Sequence, residues 1–198
     1  MMKNFMVAVT ASMAILLSAC GSTPKTHYYL LKPTENVEQS VEKAYSIGVG
    51  PITVAEYLQR PQLITIEDNK LVYSDFHRWA ESLERGMTRI LSVNLVGTLK
   101  NNNIVLFPWR SDEIPEIKVR IVVIDLNRVG DQASLTVRWN VSLSADPTRD
   151  IQNLETFTVT TEKDGYQNLA KAYSELINNL SVILAENITR LRNETTPD

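Results

Sequence analysis

The feature that most constrains the fold is an unbroken helical pattern near the carboxyl terminus. Between residues 165 and 192, apolar side chains recur three or four positions apart over about seven turns of 3.6 residues. This spacing places them in one stripe, which needs an apolar surface to cover it. We therefore predict a helix that begins at Gly165 or Tyr166 and ends near Arg192. The stripe comprises Leu169, Ala172, Tyr173, Leu176, Ile177, Leu180, Ile183, Leu184, Ile188 and Leu191.

Three segments before this helix have the alternation of β-strands, at residues 117–128, 133–145 and 154–161. Gly130 and Asp131 form a predicted turn between the first two. Alternation is nearly strict from Ser134 to Leu143, which predicts an antiparallel sheet with one apolar and one polar face. Shorter strands are predicted over 27–31, 46–52, 62–67, 70–74 and 104–107.

A second long helix is predicted from residue 75 to 99, with Ser74 or Asp75 as its N-cap. Residues 54–61 favour a helical turn that Pro61 ends, and Asp68–Asn69 favours a tight turn between two strands. Together these elements predict an α+β fold. We expect a single domain with an antiparallel or mixed sheet and two long helices packed on one face. The apolar stripe of this second helix comprises Phe76, Trp79, Ala80, Leu83, Met87, Ile90, Leu91, Val93 and Leu95.

The amino-terminal segment is typical of an exported protein. An uncharged apolar run at residues 5–17 follows Lys3, and it is shorter than the roughly 20 residues that span a bilayer. We therefore expect residues 1–19 to be a signal peptide. The sequence Leu17-Ser18-Ala19-Cys20-Gly21 matches the bacterial lipobox, which predicts that Cys20 becomes the lipidated first residue of the mature chain. An ordinary secreted protein with a chance cysteine at the cleavage site is the alternative.

The lipobox divides the chain into three predicted parts. These are the signal peptide 1–19, a lipidated tether 20–26 and one domain 27–198. Cys20 is the only cysteine, so no intramolecular disulfide can form. Gly21 predicts sorting to the inner leaflet of the outer membrane, because in the enterobacterial scheme an Asp there would retain the protein at the inner membrane. The formal net charge of −3 argues against nucleic acid as a partner.

Catalytic and metal-binding patterns are missing from the sequence. His27 and His77 have no neighbour at metal-ligand spacing, so we expect no metal and no cofactor, and His77 is predicted to lie in the first turn of a helix. No nucleophile elbow, P-loop or HExxH motif occurs. Gly48 and Gly50 resemble the start of a dinucleotide fingerprint, but Pro51 follows and no third glycine opens a helix. We expect these glycines to permit tight packing or a bulge.

Acidic clusters leave one enzymatic alternative open. Glu67 and Asp68 fall in a predicted turn, as do Asp112, Glu113 and Glu116, and solvated loop charges explain them most simply. A glycosidase would need two such carboxyl groups about 5 to 9 Å apart. A deep polar cleft that gathers the second cluster would therefore favour an envelope lipoprotein that binds or processes cell-wall glycan.

Three segments together resemble the ABC-type transport auxiliary lipoprotein family, which includes the PqiC (YmbA-like) lipoproteins. They are Tyr28-Tyr29-Leu30-Leu31, then Val49-Gly50-Pro51-Ile52 leading into Tyr57-Leu58-Gln59-Arg60-Pro61-Gln62-Leu63, and finally Arg78-Trp79-Ala80-Glu81-Ser82-Leu83. Their order and spacing match over nearly the whole mature chain. Ser82 departs from the pattern, because the family usually carries proline there. We expect this difference to change the start of the helix more than the fold.

The resemblance implies an accessory role in transport and no catalysis. The family's function would be to dock or stabilise a periplasm-spanning MCE-domain protein at the outer membrane, as part of intermembrane phospholipid transport that supports envelope integrity. The implied partners are that MCE protein and, through the lipid, the outer membrane. Because MCE proteins form rings, a matching ring-like homo-oligomer is one option that the sequence leaves open. A structural assembly factor without lipid contact is another.

The motif residues admit two roles. In one, they act internally: Trp79 packs in the core, and Arg60 pairs with Glu81 to fix the turn at Pro61. In the other, they form a partner-binding surface, where tyrosine, tryptophan and arginine are the usual energetic anchors. The two roles are compatible. The residues concerned are Tyr57, Leu58, Arg60, Gln62, Trp79 and Glu81.

Overall fold

A computed structural model describes residues 24–33, 45–67, 70–146, 148–161 and 165–194. The predicted signal peptide, Cys20 and the turn residues Asp68 and Asn69 lie outside these ranges. The strands are β1 (His27–Tyr29), β2 (Ile47–Val54), β3 (Gln62–Glu67), β4 (Lys70–Trp79), β5 (Ile104–Leu106), β6 (Ile117–Val129), β7 (Gln132–Leu143) and β8 (Asp150–Thr160). The helices are α1 (Leu83–Leu99) and α2 (Tyr166–Asn193), and a 3-10 helix covers Glu56–Gln59.

The larger sheet has five strands in the order β5–β2–β6–β7–β8. β2 pairs in parallel with β5 and β6, whereas β6, β7 and β8 form an antiparallel meander. Its inner face is apolar and almost fully buried, as the alternation predicts, with Val119, Ile121, Val137 and Val141 each at most 1 % exposed. The predicted mixed sheet is therefore confirmed.

Both helices cover this inner face. α1 lies against β2 and β5, α2 lies against β6, β7 and β8, and the two helices contact each other. The apolar stripe of α2 is buried along its length, from Leu169 to Leu191. The predicted α+β class, with two helices on one face of the sheet, is confirmed, and α2 lies within one residue of its predicted bounds.

A second, three-stranded sheet is an addition to the predicted architecture. Its order is β1–β4–β3, with β1 parallel to β4 and β3 antiparallel to it. β3 also packs near β6, which joins the small sheet to the large one. Each of these strands overlaps a predicted one, although β4 continues to Trp79, beyond the predicted end at residue 74, and β8 of the large sheet begins at Asp150 and not at residue 154. Alternation does not specify which strands pair.

The predicted start of the first helix is wrong. Residues 75–79 continue β4, and α1 begins only at Leu83, with the Ser82 hydroxyl accepting from Arg85 N at 3.5 Å. His77 is therefore a strand residue and not part of a helix. Phe76 and Trp79 matched the helical spacing, but parallel pairing with β1, in the register His27 to His77, holds this segment extended. A long-range hydrogen-bond ladder overrides the local pattern here.

The two glycines of β2 allow close packing, as the sequence suggested. A Cβ atom added at Gly48 would lie 2.4 Å from Pro115 and 2.6 Å from Trp109. The pairing of β2 with β6 shifts register between Val49 and Ile52, which is the irregularity expected of a bulge. Gly50 occupies this step with φ at +115°, a conformation that favours glycine.

Candidate partner-binding site

The three motif segments meet at one end of the small sheet. Trp79 N donates to Pro61 O at 2.7 Å, and Ala80 N donates to Tyr29 O at 2.9 Å. Gln62 lies opposite Arg78 in the β3–β4 register. Backbone hydrogen bonds and strand pairing thus bring together residues that are between 16 (Gln62 and Arg78) and 51 (Tyr29 and Ala80) positions apart in the chain, as a sheet allows.

Two of the six candidate partner-binding residues are core residues. Leu58 is 6 % exposed and Trp79 is 8 % exposed. The Trp79 ring stacks on Tyr173 of α2, with the ring centroids 6.2 Å apart. Their burial fits the internal role, and it leaves neither side chain on an open surface.

Tyr57 joins the motif to the large sheet. Its hydroxyl donates to the Asp125 carboxylate and accepts a hydrogen bond from Leu126 N at 3.2 Å. Burial, together with the hydrogen bond to Asp125, raises the pKa of Tyr57, so the phenol stays protonated and can donate. Asp125 reaches this position because the β6–β7 pairing shifts register between Val123 and Asp125.

Asp125 is a site residue that the sequence analysis missed. A sequence signal was present, because the polar positions of β6 are Lys118 and Arg120 and then move to Asp125 and Asn127. Such a change of phase indicates a bulge, and bulges redirect side chains. Asn127 also donates to the Asp125 carboxylate, which fixes the second oxygen.

The predicted pairing of Arg60 with Glu81 is wrong. Glu81 Oε1 instead accepts from Arg89 of α1, at 2.6 Å from Nη2 and 3.0 Å from Nε. Arg89 Nη2 also donates to Leu31 O at 2.9 Å, so this pair ties the segment after β1 to α1. The Arg89 side chain can reach the Glu81 carboxylate because Glu81 precedes α1, which begins at Leu83 and not at residue 75.

Arg60 faces outward. Its guanidinium carbon lies 5.2 Å from the centroid of the Tyr73 ring, a cation–π contact. Both residues border a shallow pocket of about 560 Å³ that Glu56, Tyr57 and Gln59 complete. We define these five residues as the Arg60 pocket, and they form the part of the motif region that a partner can contact.

A buried hydroxyl that interacts electrostatically with Tyr57 has no hydrogen-bond partner in the described part of the chain. It belongs to Tyr173, which is 3 % exposed. Burial raises the pKa of Tyr173, and the nearby Tyr57 adds to the rise. Gln62 Oε1 and Arg128 Nη1 are likewise buried without a partner among the described residues. The motif region therefore carries polar atoms that cost stability.

The two histidines lie side by side, which their separation in sequence concealed. The rings of His27 and His77 stack with centroids 5.2 Å apart, and Tyr166 stacks on the other side of His77 at 4.1 Å. The Tyr29 hydroxyl and His77 Nδ1 share a hydrogen bond of 2.7 Å. Burial and then the charge of His27 lower the pKa of His77. Among the described residues, no group of three or more His, Cys, Asp or Glu side chains could hold a metal ion.

The acidic loop does not have the features of a glycan-processing cleft. Asp112, Glu113 and Glu116 are all exposed. Asp112 pairs with Arg110 at 2.9 and 3.0 Å, which lowers the pKa of Asp112. Glu116 Oε1 instead accepts from Ser46 N at 3.2 Å. The carboxyl groups of Asp112 and Glu116 are thus held by different neighbours at an open surface.

The fold and the motif residues define an α+β protein whose helices contain no apolar stretch able to cross a bilayer, within the described residues. The sequence model of the ABC-type transport auxiliary lipoprotein components matches residues 28–185. The chain therefore belongs to the ABC-type transport auxiliary lipoprotein family. The family is one of transport lipoproteins, which agrees with the resemblance found in the sequence.

Solved structures support the fold. The chain is similar to an uncharacterized protein at 18 % identity and a TM-score of 0.69, covering 83 % of this chain and 99 % of the other. It is also similar to a DUF330 family protein from Xanthomonas campestris at 13 % identity and a TM-score of 0.62, covering 87 % and 100 %. No curated protein sequence matches the chain.

Proposed function

We propose that this chain is a lipid-anchored outer-membrane component of an MCE-type phospholipid transport system. Cys20 would carry the lipid, residues 1–19 would be removed, and the folded domain would face the periplasm. Its role would be to dock or stabilise the MCE-domain protein, without catalysis of its own. Family membership over residues 28–185 and the lipobox around Cys20 support this proposal.

The observation that carries the docking role is the division of the motif region into a buried and an outward part. Trp79 of β4 and Leu58 of the 3-10 helix are buried in the core, while Arg60 is presented on the Tyr73 ring beside an open pocket. Arginine and tyrosine are typical anchors of protein interfaces. A cation fixed on an aromatic ring also loses less side-chain entropy when a partner binds. We therefore assign the docking contact to the Arg60 pocket.

Co-purification of the lipidated chain from native membranes tests this assignment. We expect the wild-type chain to recover an MCE-domain protein, and Arg60→Glu to reduce that recovery strongly at unchanged thermal stability. The matched control is Arg120→Glu, an exposed arginine on the outer face of the large sheet, which should retain the partner. Equal recovery of the partner by both variants would show that the Arg60 pocket is not part of the interface.

Two results would refute the transport role as a whole. One is recovery of no MCE-domain protein by the wild-type chain. The other is unchanged envelope permeability after deletion in a strain that also lacks redundant transport systems. If the purified chain instead cleaved or retained cell-wall glycan, the alternative glycan role would replace the proposal.

A further inference from the structure

A second surface, at the start of the domain, remains after the motif region is assigned. A groove of about 780 Å³ runs between the segment after β1 and helix α2. Tyr28 and Leu30 border it and are 65 % and 50 % exposed. Lys32 N donates to Ser174 Oγ at 3.0 Å, so this segment is fixed against α2. We call this surface the β1 groove.

The distance to the anchor restricts what the β1 groove can face. Cys20 precedes His27 by seven positions, and an extended chain covers at most about 3.6 Å per residue, or about 25 Å in total. If Cys20 carries the lipid, β1 cannot lie farther than that from the bilayer surface. The far side of the domain has no such restriction.

The chemistry of the β1 groove suits a phospholipid headgroup layer. Tyrosine has an apolar ring and a polar tip, and it is enriched where membrane meets water. Lys32 and Lys171 border the groove and are exposed, with Glu175 as the acidic side chain among the lining residues. Lysines near an anionic leaflet are attracted to it, in a chain whose overall net charge is −3.

We propose that the β1 groove rests on the anionic headgroup layer of the membrane that carries the anchor. This contact orients the domain, with β1 and α2 toward the bilayer and the outer face of the large sheet away from it. The inference rests on the proposed lipidation of Cys20, and it adds a defined membrane-facing side to the proposed function. A partner protein on the same groove is the competing occupant.

Site-specific labelling of the full lipidated chain tests this orientation. Cys20 is the only cysteine, so once it is lipidated Tyr28→Cys supplies a single reactive thiol. Leu154→Cys is the matched control. Leu154 of β8 is 55 % exposed and pairs with Arg138 of β7, on the sheet face away from the helices. Each fluorescently labelled variant is reconstituted in vesicles of phosphatidylethanolamine and phosphatidylglycerol that contain a headgroup-quencher lipid.

We expect the label at position 28 to be quenched several-fold more than the label at position 154. Charge reversal by Lys32→Glu with Lys171→Glu should lower the quenching at position 28, whereas the exposed Lys70→Glu on the β3–β4 hairpin should not. Equal quenching at both positions would overturn the orientation and leave the groove to a protein partner. Unchanged quenching after the double charge reversal would overturn the anionic contact.

Vesicle flotation separates this inference from the proposed function. A chain that floats with vesicles but shows no preference for position 28 retains its anchor and loses only the proposed orientation. A chain that does not float lacks the anchor, and both proposals then fail.

Discussion

The two sheets of this protein are stabilised in different ways. The inner face of the five-stranded sheet is a uniform apolar layer under two helices, exemplified by Val119 and Val137. The three-stranded sheet contributes a few core residues, such as Leu63, and depends more on individual contacts: the Trp79–Tyr173 ring pair joins it to α2. The Tyr57–Asp125 hydrogen bond joins the 3-10 helix before β3 to the large sheet. Apolar layers tolerate substitutions that conserve volume, whereas single hydrogen-bonded contacts depend on residue identity. The motif residues of the family fall mainly in the second kind of region.

The largest effect is expected at Trp79. Trp79→Ala should lower the free energy of unfolding by about 3 to 5 kcal/mol, because it removes a large buried side chain and leaves a cavity against Tyr173. Urea denaturation followed by circular dichroism measures this loss. Trp109→Ala, in the loop after β5, should cost less because Trp109 is only partly buried. Equal losses of unfolding free energy in the two variants would mean that Trp79 stabilises the small sheet no more than Trp109 stabilises its loop.

The next effect in size concerns the link between the sheets. Tyr57→Phe should lower the free energy of unfolding by about 1 to 3 kcal/mol, because the Asp125 carboxylate and Leu126 N each lose a partner. The matched control is Tyr28→Phe, which removes the hydroxyl of an exposed residue and should change stability by less than about 0.5 kcal/mol. The same denaturation experiment compares the two. An unchanged free energy of unfolding in Tyr57→Phe would show that this hydrogen bond does not stabilise the contact between the motif region and the large sheet.

A smaller effect of opposite sign is expected at Tyr173. Tyr173→Phe should raise the free energy of unfolding by about 1 kcal/mol, since it removes a buried hydroxyl without a partner in the described residues and keeps the ring. Chemical denaturation of the variant beside the wild type measures the difference. A loss of stability would show that the hydroxyl is hydrogen-bonded in solution, for example by a bound water.

The smallest effect is a pH dependence at His77. Its folded-state pKa is lowered, first by burial and then by His27, so the unfolded chain binds the proton more readily. The contribution of neutral His77 to stability is therefore complete above its ordinary pKa of about 6.5 and is lost as the pH falls through the lowered value. NMR titration should show that His27→Gln raises the pKa of His77. An unchanged pKa would exclude the coupling between the two rings.

The regular parts of the fold were predictable from the sequence. α2 and the β6–β8 meander were located closely, because their periodicity extends over many residues and each apolar position faces the same layer. The packing role of Gly48 also followed, from a glycine in a strand whose neighbours are apolar. Such features depend on local pattern, and local pattern is what the sequence displays directly.

The candidate site was predicted only in part. The sequence predicts Tyr57, Arg60 and Trp79 as candidate site residues, and Trp79 is a core residue. The predicted partner of Glu81 is Arg60, whereas the observed partner is Arg89. Asp125 was missed, although the changed phase of β6 indicated a bulge. The segment 75–79 was assigned to a helix because its strand pairing with β1 involves residues 50 positions away. Pairing between distant segments leaves little trace in local spacing.

The most direct test of the lipid-anchored assignment is the intact mass of the native protein purified from membranes, combined with sequencing of its amino-terminal peptide. We predict a chain that begins at Cys20, lacks residues 1–19 and carries a diacylglyceryl thioether on the Cys20 sulfur. An unmodified Cys20 thiol, or a chain that retains residues 1–19, would contradict the assignment.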